Sequence, residues 1–151
     1  GPIPKTFNDN FLVVGDAAGH VKATTGGGVI LGSICASIAG EIAAKAVERE
    51  LFTGTFLGEY ERLWRKRLGR EFKVTRLARE VMNRLSDKTV AKIFRIVMEK
   101  NLQTEFSMKG DMDFQAGLLS ALGKKKDILR ILLTAAPDLI SLRMKHPAFE
   151  E

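Results

Sequence analysis

The sequence predicts a mainly α protein that opens with a short α/β piece. Three observations carry that expectation. Only one stretch, "FLVV" (Phe11–Val14), reads as a buried strand. The later apolar runs recur at helical spacing. Between the two lies a glycine-rich connector, "GDAAGHVKATTGGG", with Gly15, Gly19 and Gly26-Gly27-Gly28. With 45% hydrophobic and 28% charged residues over 151 positions, the chain is of ordinary globular composition and can bury a core.

The elements follow in order. Pro2 and Pro4 forbid an early helix, and Asn8-Asp9-Asn10 signals a turn just before the strand. A helix is expected from about Gly27 to Glu50, with Ile30, Ile34, Ile38, Ile42 and Val47 on its inner face. The same helix carries Gly32, Ala36, Ala39, Gly40 and Ala43. A glycine inside a helix costs about 1 kcal/mol relative to alanine, so Gly32 and Gly40 call for a packing reason. From Phe56 the pattern is amphipathic, with Leu57, Tyr60, Trp64, Leu68 and Phe72 on one face, extended by Leu77, Val81 and Leu85. Ser86 is a helix cap for a segment whose inner side holds Val90, Ile93, Phe94, Val97 and Met98. "KGDMD" reads as a loop. Leu118, Leu119 and Leu122 precede "GKKK", and Ile128, Leu129, Leu132 and Leu133 form a helix that Pro137 ends. A short helix over 138–145 closes before His146-Pro147.

Composition narrows the function. The single cysteine, Cys35, lies in an apolar run as a small core residue, which points to a reducing compartment and a cytoplasmic location. His20 and His146 are the only histidines, and neither has a partner at metal-ligand spacing, so no metal site is expected. The start lacks the basic-then-apolar pattern of a signal peptide. The run Val29–Ala39 is about half a membrane span before Glu41 interrupts it, so no integral membrane segment is expected. A net charge of +6 favours an anionic partner without choosing among nucleotide, phospholipid and nucleic acid.

The glycine-rich stretch is where chemistry is expected. A carboxylate directly after a strand, Asp16, stands at the sheet edge where open α/β folds bind ligands, and it can accept hydrogen bonds from polyol hydroxyls. Gly15 and Gly19 permit positive φ and a close ligand approach. Gly26-Gly27-Gly28 opens a helix whose free N–H groups suit an anionic or electron-rich oxygen, with Thr24 and Thr25 available to cap it or touch the ligand. His20, inside the stretch, is placed to shape the ligand's edge. The spacing matches neither the dinucleotide fingerprint nor a P-loop, and a glycine-rich turn that is only a turn is the competing reading.

The run "GDAAGHVKATTGGGVILG" resembles the second flavin-binding motif of FAD-dependent oxidoreductases of the aromatic-hydroxylase superfamily. Within it, the run is most similar to the geranylgeranyl reductase family, including archaeal digeranylgeranylglycerophospholipid reductases. "YERLWRKRLGREF" (Tyr60–Phe72) resembles the family's stretch after the flavin helix; Ala23 departs from it, where the family usually has proline. The resemblance covers roughly the first half of the chain. It implies that residues 1–50 are the C-terminal piece of an FAD-binding domain and 51–151 a helical C-terminal region. It also implies that Asp16, with Gly15, Gly19 and Thr25, contacts FAD, while Gly26, Gly27 and Gly28 face the isoalloxazine.

By the same implication the chain is a fragment of an enzyme that reduces carbon–carbon double bonds of geranylgeranyl lipid chains. Alone it should be inactive and hold FAD poorly. No residue present is assigned as a catalytic acid or base. The expected partner is an isoprenoid lipid substrate. Interleaved Glu71 and Glu80 make the basic segment Arg62–Arg84 first of all an ordinary solvated helix face, with peripheral contact with anionic membrane the functional alternative. No nucleic acid is expected, and an exposed apolar face of the flavin helix invites a homodimer. Two alternatives stay open: a helical interaction module whose basic face binds anionic membrane or an acidic protein, and a related flavin hydroxylase or quinone reductase.

Overall fold

The computed structural model describes residues 1–99, 101, 104, 114, 131 and 133–139. In chain order these form β1 (Phe7–Asn8), β2 (Phe11–Leu12), a 3-10 turn (Gly15–Ala18), α1 (Val29–Arg49), α2 (Gly54–Met82) and α3 (Asp87–Glu99), with residues 133–139 also helical. The fold is mainly α with a small β element at the start. The chain divides into two compact units, Gly1–Arg76 and Leu77–Glu151.

In the first unit β1 and β2 are antiparallel, pairing Phe7 with Leu12 and Asn8 with Phe11 around a turn in which Asn10 takes φ 57°. The buried strand expected over Phe11–Val14 is therefore cut to Phe11–Leu12, and Phe11 is 58% exposed. A two-residue hairpin arm has no second layer on its outer face, so burial of both faces is impossible here.

The N-terminal segment instead runs as a strap along α2. The Asp9 carboxylate accepts the Gly54 N–H at the α2 N-terminus, where negative charge is favoured. The Phe7 ring lies over Gly58, within 3.0 Å of where a β-carbon would stand. Thr6 is held by Glu61 and Trp64, and the Pro4 carbonyl accepts from Arg65 at 2.9 Å.

α1 packs its Leu31, Cys35, Ile38, Ile42 and Ala46 into a core completed by Leu57, Tyr60, Trp64, Leu68 and Phe72 of α2. The aromatic stripe of α2 is buried as its spacing predicts. Two residues expected on the inner face of α1 are not: Ile30 is 45% exposed and Val47 66%. The apolar surface of α1 is wider than one partner helix covers, and Val29, Ser33, Ala36, Gly40, Ala43 and Val47 lie on the exposed side. Neither glycine shows the packing reason anticipated for it among the described residues: a β-carbon at Gly32 would make ordinary contact, 3.5 Å from Gly15 Cα, and around Gly40 the space is open. At 21 residues and mean hydropathy 1.5, α1 is long and apolar enough to cross a bilayer, which the Glu41 interruption did not prevent. Its inner face is nonetheless core.

On α2 the basic residues from Arg62 to Arg79 are exposed, whereas Glu71, expected on the solvated face, is buried beside Phe72 and Thr75.

In the second unit Ser86 caps α3: its Oγ accepts the Thr89 N–H at 3.3 Å, and Asp138 accepts both the Ser86 N–H and O–H at 2.8 Å. Ile96 and Thr89 are the buried residues of α3, while Phe94 and Met98, expected inside, are 66% and 61% exposed; on α2, Leu77 is likewise 60% exposed. Helical backbone passes through Pro137, where the sequence predicts the helix to end: the proline's fixed φ is itself helical, and the chain there tolerates its missing donor and the crowding of its ring against the preceding turn. The loop at "KGDMD", the helix expected around Leu118–Leu122 and the stretch 140–145 lie outside the described residues; of the helix expected over Ile128–Leu133, residue 131 and Leu133 are described and helical, with Leu133 65% exposed.

Candidate cofactor-binding site

The site begins where β2 runs out. Val14 is extended, and the chain then closes into the Gly15–Ala18 turn, capped by Gly19 at φ 70°. Gly19 N–H donates to Asp16 O at 2.9 Å and His20 N–H to Gly15 O at 3.0 Å. A β-carbon at Gly19 would lie 2.4 Å from Gly1 O, so the left-handed φ and the backbone crossing both require glycine. The connector that follows is closed on itself by Gly26 N–H to Lys22 O at 2.8 Å and Lys22 N–H to Gly27 O at 2.9 Å. It delivers the chain to Gly28, the N-cap of α1.

These pieces frame an open groove of about 570 Å³ lined by Val14, Gly15, Asp16, Gly26, Gly27, Gly28, Val29, Gly32, Ser33 and Ala36. Gly28 is the tightest position: a β-carbon there would stand 2.6 Å from Val21 Cγ1 and 2.8 Å from Asp16 Oδ1. No side-chain cap closes the N-terminus of α1, so its first N–H groups remain for a ligand. The Asp16 side chain is exposed, and no hydrogen bond or ion pair is recorded for it among the described residues.

Of the residues singled out in the sequence, Gly15, Asp16, Gly26, Gly27 and Gly28 converge on the groove. Gly19 does not line it but lies behind, against Gly1 and Pro2. Thr25 is exposed beside it, its hydroxyl 3.4 Å from the Gly27 N–H. Sequence reasoning missed Gly32, Ser33 and Ala36, whose small side chains open the groove along α1; their helical spacing from Gly28 was the available signal. It also missed Lys22, whose buried side chain passes within 3.0 Å of the β-carbon position of Gly27.

His20 is the clearest displacement. It is fully buried behind the turn, its ring 4.8 Å from Trp64, 5.7 Å from Phe72 and 6.5 Å from Tyr60. The αL residue before it reverses the chain and sends the imidazole into the core instead of the groove. Neither ring nitrogen has a hydrogen-bond partner among the described residues. Burial, with Arg65 nearby, lowers its pKa from 6.5 to about 4, so it is neutral at physiological pH and cannot act as a groove acid. Cys35 is buried and pushed up to about 11 by that burial, an inert thiol.

Comparison with known proteins bears on what such a groove holds. The chain is 43% identical over 104 residues to digeranylgeranylglycerophospholipid reductase 2 of Methanothermobacter thermautotrophicus, a match over 69% of this chain and 27% of that protein. It is 51% identical over 67 residues to the digeranylgeranylglycerophospholipid reductase of Methanococcus vannielii, 44% of this chain and 17% of that protein. Over these spans the chain is a homologue of digeranylgeranylglycerophospholipid reductases. An uncharacterised protein of Methanocaldococcus jannaschii is 36% identical over 128 residues, 85% of this chain and 32% of its own length. The chain thus spans about a quarter of the length of the curated relatives it matches. No family model matches the chain, and no solved structure does.

Proposed function

We propose that this chain is part of an FAD-dependent oxidoreductase that reduces carbon–carbon double bonds of geranylgeranyl chains in an isoprenoid lipid. The observation that carries the reading is the groove between the Gly15–Asp16 turn and the Gly26–Gly28 helix start, in a chain 43% identical to a reductase of that name. Residues 1–50 are read as the C-terminal piece of the FAD-binding domain and 51–151 as its helical continuation.

The donor set fits the cofactor. Asp16 offers an exposed carboxylate to polyol hydroxyls, and the uncapped start of α1 offers N–H groups to an electron-rich ring edge. Gly28 lets the start of α1 pass close against Val21 and the Asp16 carboxylate, where a β-carbon would collide. When bound, reduced flavin supplies the hydride equivalent for the double bond. The chain's own residues bind and orient: Asp16 holds the cofactor, and the α1 N-terminus stabilises negative charge beside Gly26–Gly28. Gly15, Gly19 and Thr25 shape and support the same turn.

The exposed α1 side from Val29 to Val47 is read as surface that the rest of the reductase covers; in the isolated chain it is a route to a homodimer. The exposed basic side chains of α2 suit peripheral contact with anionic membrane on the cytoplasmic side.

The test is turnover by the natural reading frame that contains this chain. With a chemical reductant and digeranylgeranyl glycerophospholipid vesicles, mass spectrometry should show the lipid gaining two hydrogens per double bond reduced, together with flavin absorbance in the purified protein. A protein with neither flavin nor mass gain would refute the reading.

A further inference from the structure

The groove is made of backbone, yet nothing inside it explains why the Gly15–Ala18 turn holds its shape. The explanation lies in the strap. Ile3 N–H donates to Ala18 O at 3.1 Å, and the Gly1–Pro2 backbone seats against Gly19, so residues 1–3 form the back wall of the turn. A few residues along, the strap is fastened to α2 through one side chain. Glu61 Oε2 accepts both the Thr6 N–H at 2.7 Å and the Thr6 O–H at 2.9 Å, while Glu61 Oε1 accepts from Arg65 Nε at 3.0 Å. The Thr6 hydroxyl oxygen in turn accepts the buried Trp64 indole N–H at 2.9 Å, and Arg65 reaches on to Pro4 O. At the other end of the strap's return, the Tyr60 hydroxyl donates to Val13 O at 2.8 Å, immediately before the turn.

Tyr60, Glu61, Trp64 and Arg65 are consecutive around the face of α2 that meets the strap. Each binds a different point on the two chain segments that enter and brace the turn. The chemistry is directional: a carboxylate with both oxygens satisfied, and a threonine hydroxyl that donates to one partner and accepts from another. Hydrophobic contact would hold the strap against α2 but would not fix its register along the helix; this network does.

We propose that Glu61, acting through Thr6, is a positioning residue that fixes the register of the strap and thereby the conformation of the Asp16 turn. It does not line the groove. The inference rests on the flavin reading of the groove only for what the turn holds; the mechanical link stands without it.

The experiment uses the isosteric Thr6→Val and the hydroxyl-keeping Thr6→Ser in the full 151-residue chain, followed residue by residue by amide hydrogen exchange. Valine keeps the volume and the backbone N–H but removes the hydroxyl. The expected result is exchange at least about tenfold faster at Ile3, Gly19 and His20 in Thr6→Val, which loses the hydroxyl's bond to the Glu61 carboxylate and its bond from the Trp64 indole, with α1 amides over 43–47 unchanged and Thr6→Ser close to wild type. Unchanged exchange at those amides, or equal acceleration everywhere, would overturn the link. Glu61→Gln is the second variant: it keeps one acceptor for Thr6 but loses the charge toward Arg65, and a smaller effect of the same pattern is expected. In the natural reading frame, Thr6→Val should also weaken FAD binding about tenfold by titration, and Thr6→Ser should restore it. Faster exchange with unaltered FAD affinity would overturn the role in cofactor positioning. A wild-type protein that binds no FAD would sink the flavin reading, and the exchange pattern would still decide the link between strap and turn.

Discussion

The two sides of the Gly15–Ala18 turn are built from opposite materials. In front, toward the groove, stand glycines and small residues: Gly15, Gly26, Gly27, Gly28, Gly32, Ser33 and Ala36, with one exposed carboxylate. Behind stand four ring side chains, Trp64, Tyr60, Phe72 and His20, packed ring to ring and nearly or wholly buried. The difference has a physical logic. A cofactor that is read by backbone needs side chains removed from its side of the turn, and a turn so stripped has to be braced from the other side.

Truncating the brace should produce the largest effect. Trp64→Ala removes a side chain 1% exposed that contacts His20 and Phe72 and donates to Thr6, and should lower stability by about 3–5 kcal/mol in urea unfolding. Trp64→Phe, which keeps a ring but loses the donor, should cost roughly 1–2 kcal/mol, mainly through the lost indole N–H bond to the Thr6 hydroxyl. If the two variants lost equally little, the brace would be dispensable.

Acid should loosen the same side next. His20 is held neutral, its pKa lowered from 6.5 to about 4, so the unfolded chain binds the proton first. Stability contributed by the neutral ring is full above pH 6.5 and is lost as pH falls from 6.5 toward 4, by on the order of 2–3 kcal/mol. Burial alone would raise the Glu61 carboxyl, but the Thr6 N–H, Thr6 O–H and Arg65 outweigh it and hold it below the usual value. Its contribution is present above the ordinary carboxylate pKa and fades at still lower pH, after that of His20. Unfolding midpoints across this range should therefore fall in two stages, and His20→Phe should flatten the first. A flat wild-type profile between pH 6.5 and 4 would contradict the buried, unpartnered placement of His20.

The smallest and cleanest contrast is between two glycines. Gly28→Ala puts a methyl 2.8 Å from Asp16 Oδ1 and 2.6 Å from Val21 and should destabilise by about 1–3 kcal/mol while narrowing the groove. Gly40→Ala meets nothing within 4 Å on the exposed side of α1 and should stabilise by about 0.5–1 kcal/mol. Thermal melts of the two variants should move in opposite directions; the same direction for both would mean that the front of the turn is not the constrained surface described here.

How legible all this was depended on where a side chain's partner lies in the chain. Leu57, Tyr60, Trp64, Leu68 and Phe72 recur at helical spacing and pack against α1 close by, so the stripe could be read directly and is buried throughout. Ile30 and Val47 carry the same apolar signal, but α2 covers only one face of α1, and periodicity cannot say how wide a face a neighbour covers. The convergence of Asp16 with Gly26–Gly28 was legible because a strand end and a helix start joined by a short connector must lie close together. The inward turn of His20 was not, because it depends on the left-handed Gly19 reversing the chain. The strap was invisible for a related reason: Thr6 and Glu61 lie 55 residues apart, and no local pattern marks a threonine as the centre of a hydrogen-bond relay.

In the flavin reading, cofactor binding by this chain depends on the front of the turn. FAD titration of the natural reading frame, wild type against Asp16→Ala, tests it most directly. Asp16 is exposed and braces nothing recorded among the described residues, so its loss should leave the urea midpoint unchanged and weaken FAD binding about tenfold or more, the worth of one hydrogen bond to a charged group. Equal affinity in the two proteins would contradict the assignment of this groove to the flavin.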